Sequence, residues 1–506
     1  MRATRFFRPP LFRSPSLLRF TMSTDSSSPD PTPADPSAPK PATPGTPSSP
    51  RPASTRPSKR ATPPSRGTSA LRILAVVVGS ALVGVGATWL WHQFRPGSSA
   101  EEDAFTDQAR PDSEFLNPEK AIAFYEARLR RNPDRVADYV ALAQLYLQQG
   151  RVTADEPTYV PKAQRAIAEA LKRAPDDFHA LAVQGSLFNI LHEFEKGEAS
   201  ARSLLRTASG NAFPYGVLID ALVELGRYPE AVAVSDSMMA LRPSIASYSR
   251  VAYLRELHGD TDGAIAAMRL AADASANGRE DRAWALYQLA KLYLGTGDTA
   301  KARVLYRGIL DERPSFARAR LGLAHLSIIG GKPAEAIPVI DAVLEDTPLE
   351  DGYVLLEEAY GQMGKTAEAK AAADKAYQTL LDAEKMGEVV DMEVADFLAD
   401  HDMELDEALR RAEIQIRRRP GHLHANETYA WVLHKKGRSA EGIPHIERAM
   451  AMNTGDAMVH FRAAEIYAAT GQAEKAREQY RLAVEGHVGM ESLAAAARAR
   501  QMMAAR

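Results

Sequence analysis

The stretch YQLAKLYLGTGDTAKARVLYRGILDERP, Tyr287 to Pro314, most narrows what this chain can fold into. Counted from Ala283, Leu286, Leu289, Ala290, Tyr293, Gly297, Ala302, Tyr306, Ile309 and Pro314 fall at positions 4, 7, 8, 11, 15, 20, 24, 27 and 32. Apolar residues three and four apart mark one helical face on each side of Gly297. Ala at positions 8 and 20 lets two helices approach closely, and larger residues at 4, 7, 11 and 24 fill the space between them. Gly at 15 permits the turn, and Pro at 32 stops the second helix.

The same phase returns along the chain. Tyr139, Leu142, Ala143, Tyr146 and Gly150 begin one copy, and Ala163, Ile167, Ala170 and Pro175 complete it after an insertion of about eight residues. Another copy carries Tyr215, Leu218, Gly226, Tyr228, Ala231 and Pro243, and the next carries Tyr248, Ala252, Gly259, Ala264 and Ala271. Leu323, Ala324, Gly331, Ala336 and Pro348 follow, then Tyr353, Tyr360, Gly364, Ala369 and Ala376. Near the end come Ala430, Leu433, Gly437, Ile446 and Ala449, then Ala463, Ala464, Tyr467, Gly471, Ala476, Tyr480 and Ala483. Over 178–209 and 392–420 only one helix matches well, and Pro118 to Pro133 reads as a lone second helix.

This pattern resembles the tetratricopeptide repeat, a helix–turn–helix unit of 34 residues. The resemblance covers 117–490 and implies an all-α, right-handed superhelical solenoid of about ten repeats, each buried against its neighbours. Their expected bounds are 136–175, 178–209, 212–243, 245–276, 283–314, 317–348, 350–381, 392–420, 423–454 and 457–490. Residues 491–506 read as a capping helix with a polar outer face.

The first hundred residues are of another kind. The net charge of −3 conceals a basic arm: residues 1–72 hold 12 Lys/Arg and 3 acids, leaving 50 basic and 62 acidic residues for the rest. From Ser23 to Ser69 Pro, Ser, Thr and Ala dominate, a composition that cannot bury enough apolar surface to offset ordering. Ile73 to Trp91 (ILAVVVGSALVGVGATWLW) carries no charge and, at about 1.5 Å per residue, is long enough for a hydrocarbon core of about 30 Å. We therefore expect a single membrane-crossing helix at 73–94 and a linker at 95–116. Lys and Arg before the span and acids after it keep the arm in the cytoplasm and export the repeats. Ser80, Gly84 and Thr88 form a small-residue row through which two such helices would pair as a homodimer. Residues 1–21 are Arg-rich and free of acids, which fits either a mitochondrial presequence or translation from Met22. Ser98-Ser99-Ala100 would serve as a cleavage site.

Signals for chemistry are sparse. With no cysteine, disulfides, thiolate metal sites and cysteine nucleophiles are excluded. GQMGKT, Gly361 to Thr366, lacks the first glycine of a phosphate loop, since residue 359 is Ala359. His192 to Lys196 (HEFEK) lacks a second histidine four residues on. His422 and His424 stand two apart, and His434 lies about 15 Å further along the helix, too far to share one metal. The expected protein is therefore not an enzyme and needs no metal or cofactor.

What remains is surface. In the family resembled here, positions 2, 5, 9 and 12 of each first helix line a concave groove. Carried over, they give Phe213, Asp220, Tyr253, Trp284, Tyr287, Lys291, Arg318, His325, Glu358, His424, Trp431 and Phe461 as candidates for contact with a partner. The alternative for each aromatic is packing against the next helix. The Lys/Asn/Arg set with which some family members clamp a C-terminal carboxylate is missing. The resemblance thus implies a membrane-anchored scaffold holding a protein or peptide partner, with no nucleic acid, for assembly of an envelope complex. A glycan- or polymer-binding spacer is the alternative.

Overall fold

The computed structural model describes residues 118–504; the arm 1–72, the apolar run 73–94 and the linker 95–116 lie outside the described residues. A single helix leads, α1 (Pro118–Arg131). Hairpins follow: α2 (Val136–Thr153) with α3 (Glu156–Arg173), α4 (Phe178–Ile190) with α5 (Phe194–Thr207), and α6 (Ala212–Glu224) with α7 (Tyr228–Leu241). Next come α8 (Ile245–Leu257) with α9 (Thr261–Asp273), α10 (Glu280–Gly295) with α11 (Thr299–Glu312), and α12 (Ala317–Ile329) with α13 (Pro333–Leu344). The last four are α14 (Glu350–Gln362) with α15 (Thr366–Lys385), α16 (Asp391–Asp400) with α17 (Leu405–Arg418), α18 (Leu423–Lys435) with α19 (Ser439–Ala449), and α20 (Ala457–Ala469) with α21 (Ala473–Glu485). A final helix, α22 (Leu493–Ala504), buries Ala495, Ala496 and Ala499 against the array. No strand occurs among the described residues, and none of their helices is long and apolar enough to cross a membrane.

Each hairpin is set by local chemistry. Gly226, Gly259, Gly297, Gly331, Gly364, Gly437 and Gly471, all at position 15, have φ between +72° and +76°. That conformation costs a side-chain-bearing residue about 1–2 kcal/mol, so glycine ends the first helix at the least expense. Where glycine is missing, His192 (φ +57°) and Asp402 (φ +52°) adopt the same turn. Those two turns belong to the repeats with the weakest sequence match. In the first repeat the turn passes to Ala154 (φ +58°), and the insertion is absorbed by lengthening α2 and α3 to 18 residues each. Second helices start on capped ends: Asp260 accepts from the Gly263 N–H at 3.0 Å and Asp298 from the Lys301 N–H at 3.0 Å. Ala290 and Ala302 have no exposed surface, as close contact of α10 with α11 requires.

The array coils far enough that its later part rests on its earlier part. The turn at Gly226 meets Gly421 and His422, the turn at Gly259 meets Asn453, and the turn at Gly297 meets the His487 ring. One step earlier, the Val389 N–H donates to the Leu191 carbonyl at 3.2 Å, and His192 Nδ1 lies 2.9 Å from the Val389 carbonyl, 197 positions away. The Leu423 N–H donates to Tyr228 Oη at 2.9 Å, across 195 positions. At the start of the series Ala154 is buried in the same apolar cluster as Leu349. Turns of the first five hairpins therefore face, in order, the loops before α14, α16, α18, α20 and α22. We call this line of contacts the seam.

Candidate functional site

Inward positions of α8, α10, α12 and α14 come together because successive first helices stack side by side. They line a cavity of about 250 Å³, bounded by Tyr253 and Glu256, Tyr287 and Lys291, Arg318 and His325, and Asp351. The later coil closes the far side with His424, the loop 454–457 and Glu491. Six of the twelve groove candidates thus share one site: Tyr253, Tyr287, Lys291, Arg318, His325 and His424.

Acid and base alternate around the cavity. Arg318 donates to Glu156 at 2.9 Å and lies 3.5 Å from Asp351. Burial pulls the Lys291 ammonium below its ordinary value, against the pull of Glu256, Asp351 and Glu491. The Glu256 side chain is exposed to the open cavity; the protein around it raises its carboxyl to about 7, and Lys291 opposes that shift. Burial raises Asp351 to about 6, opposed by Arg318 and then Lys291. His325, 7% exposed, is lowered to about 4 by burial alone. The lining sets charged groups of both signs among aromatic rings, an arrangement that can hold charged and polar groups.

The other six candidates lie elsewhere, and several do structural work. Asp220 accepts from Arg250 at 2.9 Å, an ion pair between neighbouring first helices. Trp431, 3% exposed, donates its indole N–H to Asp400 at 2.6 Å. Phe461, 1% exposed, packs against the Tyr480 ring at 6.2 Å. Trp284 is half-buried against the main core, and Phe213 is exposed at the outer end of α6. Glu358 is raised to about 7 by burial and does not line the cavity. Even within the site, Tyr287 packs on Tyr306 and Phe316 with ring centroids 6.0 and 6.2 Å away.

Among the described residues no group of three or more His, Asp or Glu side chains is placed to hold a metal. His424 faces Glu427 at 3.1 Å, His434 faces Ser439 at 3.0 Å, and His422 Nδ1 accepts from the Ala425 N–H. The glycine of GQMGKT forms the turn between α14 and α15, with φ +72° at Gly364.

Sequence reasoning missed Glu256 and Asp351, although positions 12 and 2 of their helices follow the inward rule. It also missed a buried ionic cluster. Arg462, with no exposed surface, donates to Asp396 at 2.6 Å and Asp400 at 3.0 Å and lies 3.4 Å from Glu427. Burial raises Asp400 against the pull of Arg462. The signal was an arginine flanked by Phe461, Ala463 and Ala464 in HFRAAEIY.

Fold and site together define an all-helical repeat solenoid with a cavity on its inner face lined by charged and aromatic side chains. Residues 294–360 and 430–487 each match the Tetratricopeptide repeat family. Those two segments are tetratricopeptide repeats. The chain is also similar to cellulose synthase operon protein C of Pseudomonas fluorescens (strain SBW25), 30% identical over 133 residues. That match covers 24% of this chain and 10% of the relative's length. Among solved structures, the human IFIT1 dimer with PPP-AAAA is similar at a TM-score of 0.39 and 15% identity, over 71% of this chain and 86% of that one.

Proposed function

We propose that this protein is a non-catalytic scaffold, anchored in a membrane by 73–94, whose inner face holds an extended segment of a protein partner. The observation that carries the reading is the cavity itself. Partly buried charges such as Lys291 and Asp351 cost stability, and nothing in the hairpin design needs them, or Glu256 beside them, at these positions. Tyrosines set among them suit recognition of a polar chain segment. The repeats supply the frame, and the arm and span would hold it at the membrane surface with the repeats exported.

A photo-cross-linking residue at Tyr253 in the full-length protein, expressed in cells, tests this. One discrete adduct is expected, and it should vanish in Lys291→Gln with Glu256→Gln while circular dichroism stays unchanged. The same adducts from a cross-linker at Val304, 69% exposed on the outer face, would sink the idea.

A second reading, a spacer that binds a glycan or envelope polymer, draws on the similarity to cellulose synthase operon protein C. Pull-down on insoluble polysaccharide separates the two, because only a polymer binder is retained.

A further inference from the structure

The seam forms one wall of the cavity. Thr261 at the start of α9 and Gly455 before α20 both line the cavity and face each other across the seam: a Cβ on Gly455 would lie 3.8 Å from Thr261 Oγ1. Beside them, a Cβ on Gly259 would come within 2.2 Å of the Asn453 carbonyl oxygen. No polypeptide passes between surfaces in such contact.

Yet the seam is thin. Among the described residues, extensive packing joins helices that are neighbours or next neighbours in the chain, and the one such pair to cross the seam is α10 with the turn at Val488–Met490. Elsewhere loops meet turns. The joints are backbone bonds, such as Leu423 to Tyr228, a strip of apolar contact through which Leu423, Ala457 and Val488 share one buried cluster with Tyr228 and Leu294, and ion pairs. Arg419, its side chain buried, donates to Glu224 at 3.3 Å, whereas Arg418 donates to Glu195 at 2.7 Å with both side chains substantially exposed. Exposed pairs of this kind hold weakly and are screened by salt. The coil itself is compliant, because each hairpin touches only its neighbours and small rotations add along the array. An opening of roughly 6 Å, spread over five or six interfaces, asks about 1 Å of each.

We propose that the seam is a gate: the two coils part along it, and the parting is what admits a partner segment to the cavity. The proposal rests on reading the inner face as the binding surface, but its test needs no partner.

The chain has no cysteine, so Thr261→Cys with Gly455→Cys creates the only thiols, placed at disulfide range across the seam. The full-length protein in detergent is treated with an amine-reactive sulfosuccinimidyl biotin, and labelling is read by peptide mass spectrometry. Lys291 reports the cavity, and Lys332, 63% exposed, reports the outside. Oxidation should cut Lys291 labelling at least tenfold relative to Lys332, and reduction should restore it. Equal labelling in both states would overturn the gate, since the cavity would then be reached through its ends. Absence of labelling in both states would overturn it too, because the seam would not part. Should the disulfide strain the fold, Arg418→Gln serves instead: it should raise Lys291 labelling severalfold, and an unchanged rate counts against the gate. Loss of partner capture with these rates intact would discredit the binding reading alone.

Discussion

Gly259→Ala and Gly364→Ala form a matched pair that tests whether the coil touches itself. Both glycines end a first helix in the left-handed conformation, at φ +74° and +72°. A Cβ costs about 1–2 kcal/mol at either position for that backbone alone. Beyond Gly364 there is nothing within 4 Å. At Gly259 the new carbon would lie 2.2 Å from the Asn453 carbonyl oxygen, about 1 Å inside normal contact. Turn and loop must separate, which adds an overpacking cost of about 1–3 kcal/mol. The expected losses are about 1–2 kcal/mol for Gly364→Ala and about 2–5 kcal/mol for Gly259→Ala. Repeat arrays open in parts, so hydrogen exchange by segment is a sharper assay than a single melting curve. Gly259→Ala should speed exchange over residues 450–457, far downstream in sequence, while Gly364→Ala leaves them at the wild-type rate. Equal destabilisation by both, with 450–457 unchanged, would refute the contact.

Three further outcomes follow from buried groups. Arg462→Met leaves Asp396, Asp400 and Glu427 clustered without their cation, and chemical denaturation at pH 8 should show a loss of about 3–5 kcal/mol. That loss should shrink toward pH 5 as Asp400, raised to about 6 by burial, takes up a proton. His325 is held neutral in the fold, with its pKa lowered to about 4 from 6.5, so its contribution is complete above pH 6.5 and is lost as pH falls toward 4. Going from pH 7 to pH 5 should cost about 2 kcal/mol through this residue, and denaturation of His325→Gln should lack that share of the slope. Ala290→Leu, at the closest approach of α10 and α11, should destabilise by about 1–3 kcal/mol, whereas the same change at half-buried Ala246 should cost far less.

The helical hairpins were legible because their determinants are local. A small residue at the helix crossing, a glycine at the turn and a proline after the second helix act within one repeat, so they leave a mark at fixed phase. The places where the pattern faded show the same logic. His192 and Asp402 take the left-handed turn without glycine, so their repeats lose the strongest punctuation while keeping the geometry. In the first repeat Gly150 marks the expected turn, but the chain stays helical through Thr153. Arg462 was illegible for another reason. An arginine reads as surface unless the carboxylates that surround it are known, and Asp396 and Asp400 come from a helix two repeats earlier.

The groove shows where local reasoning stops. Position within a first helix decides whether a residue points inward, and that rule brought Tyr253, Lys291 and Arg318 to one chamber. It does not decide whether the inside is an open trough or a closed space, because that depends on the pitch of the coil. Pitch is the sum of small rotations at every hairpin interface, and here it is fixed by contacts between residues nearly two hundred positions apart, such as Tyr228 with Leu423. Gly226, Gly259 and Gly297 consequently meet two demands at once: a left-handed turn, readable from one repeat, and bare backbone against the next coil, readable from none. Gly331, Gly364, Gly437 and Gly471 answer only the first demand, with no atom of the other coil above them. The two groups are indistinguishable in sequence, and the difference between them is what lets the later coil rest on the earlier one.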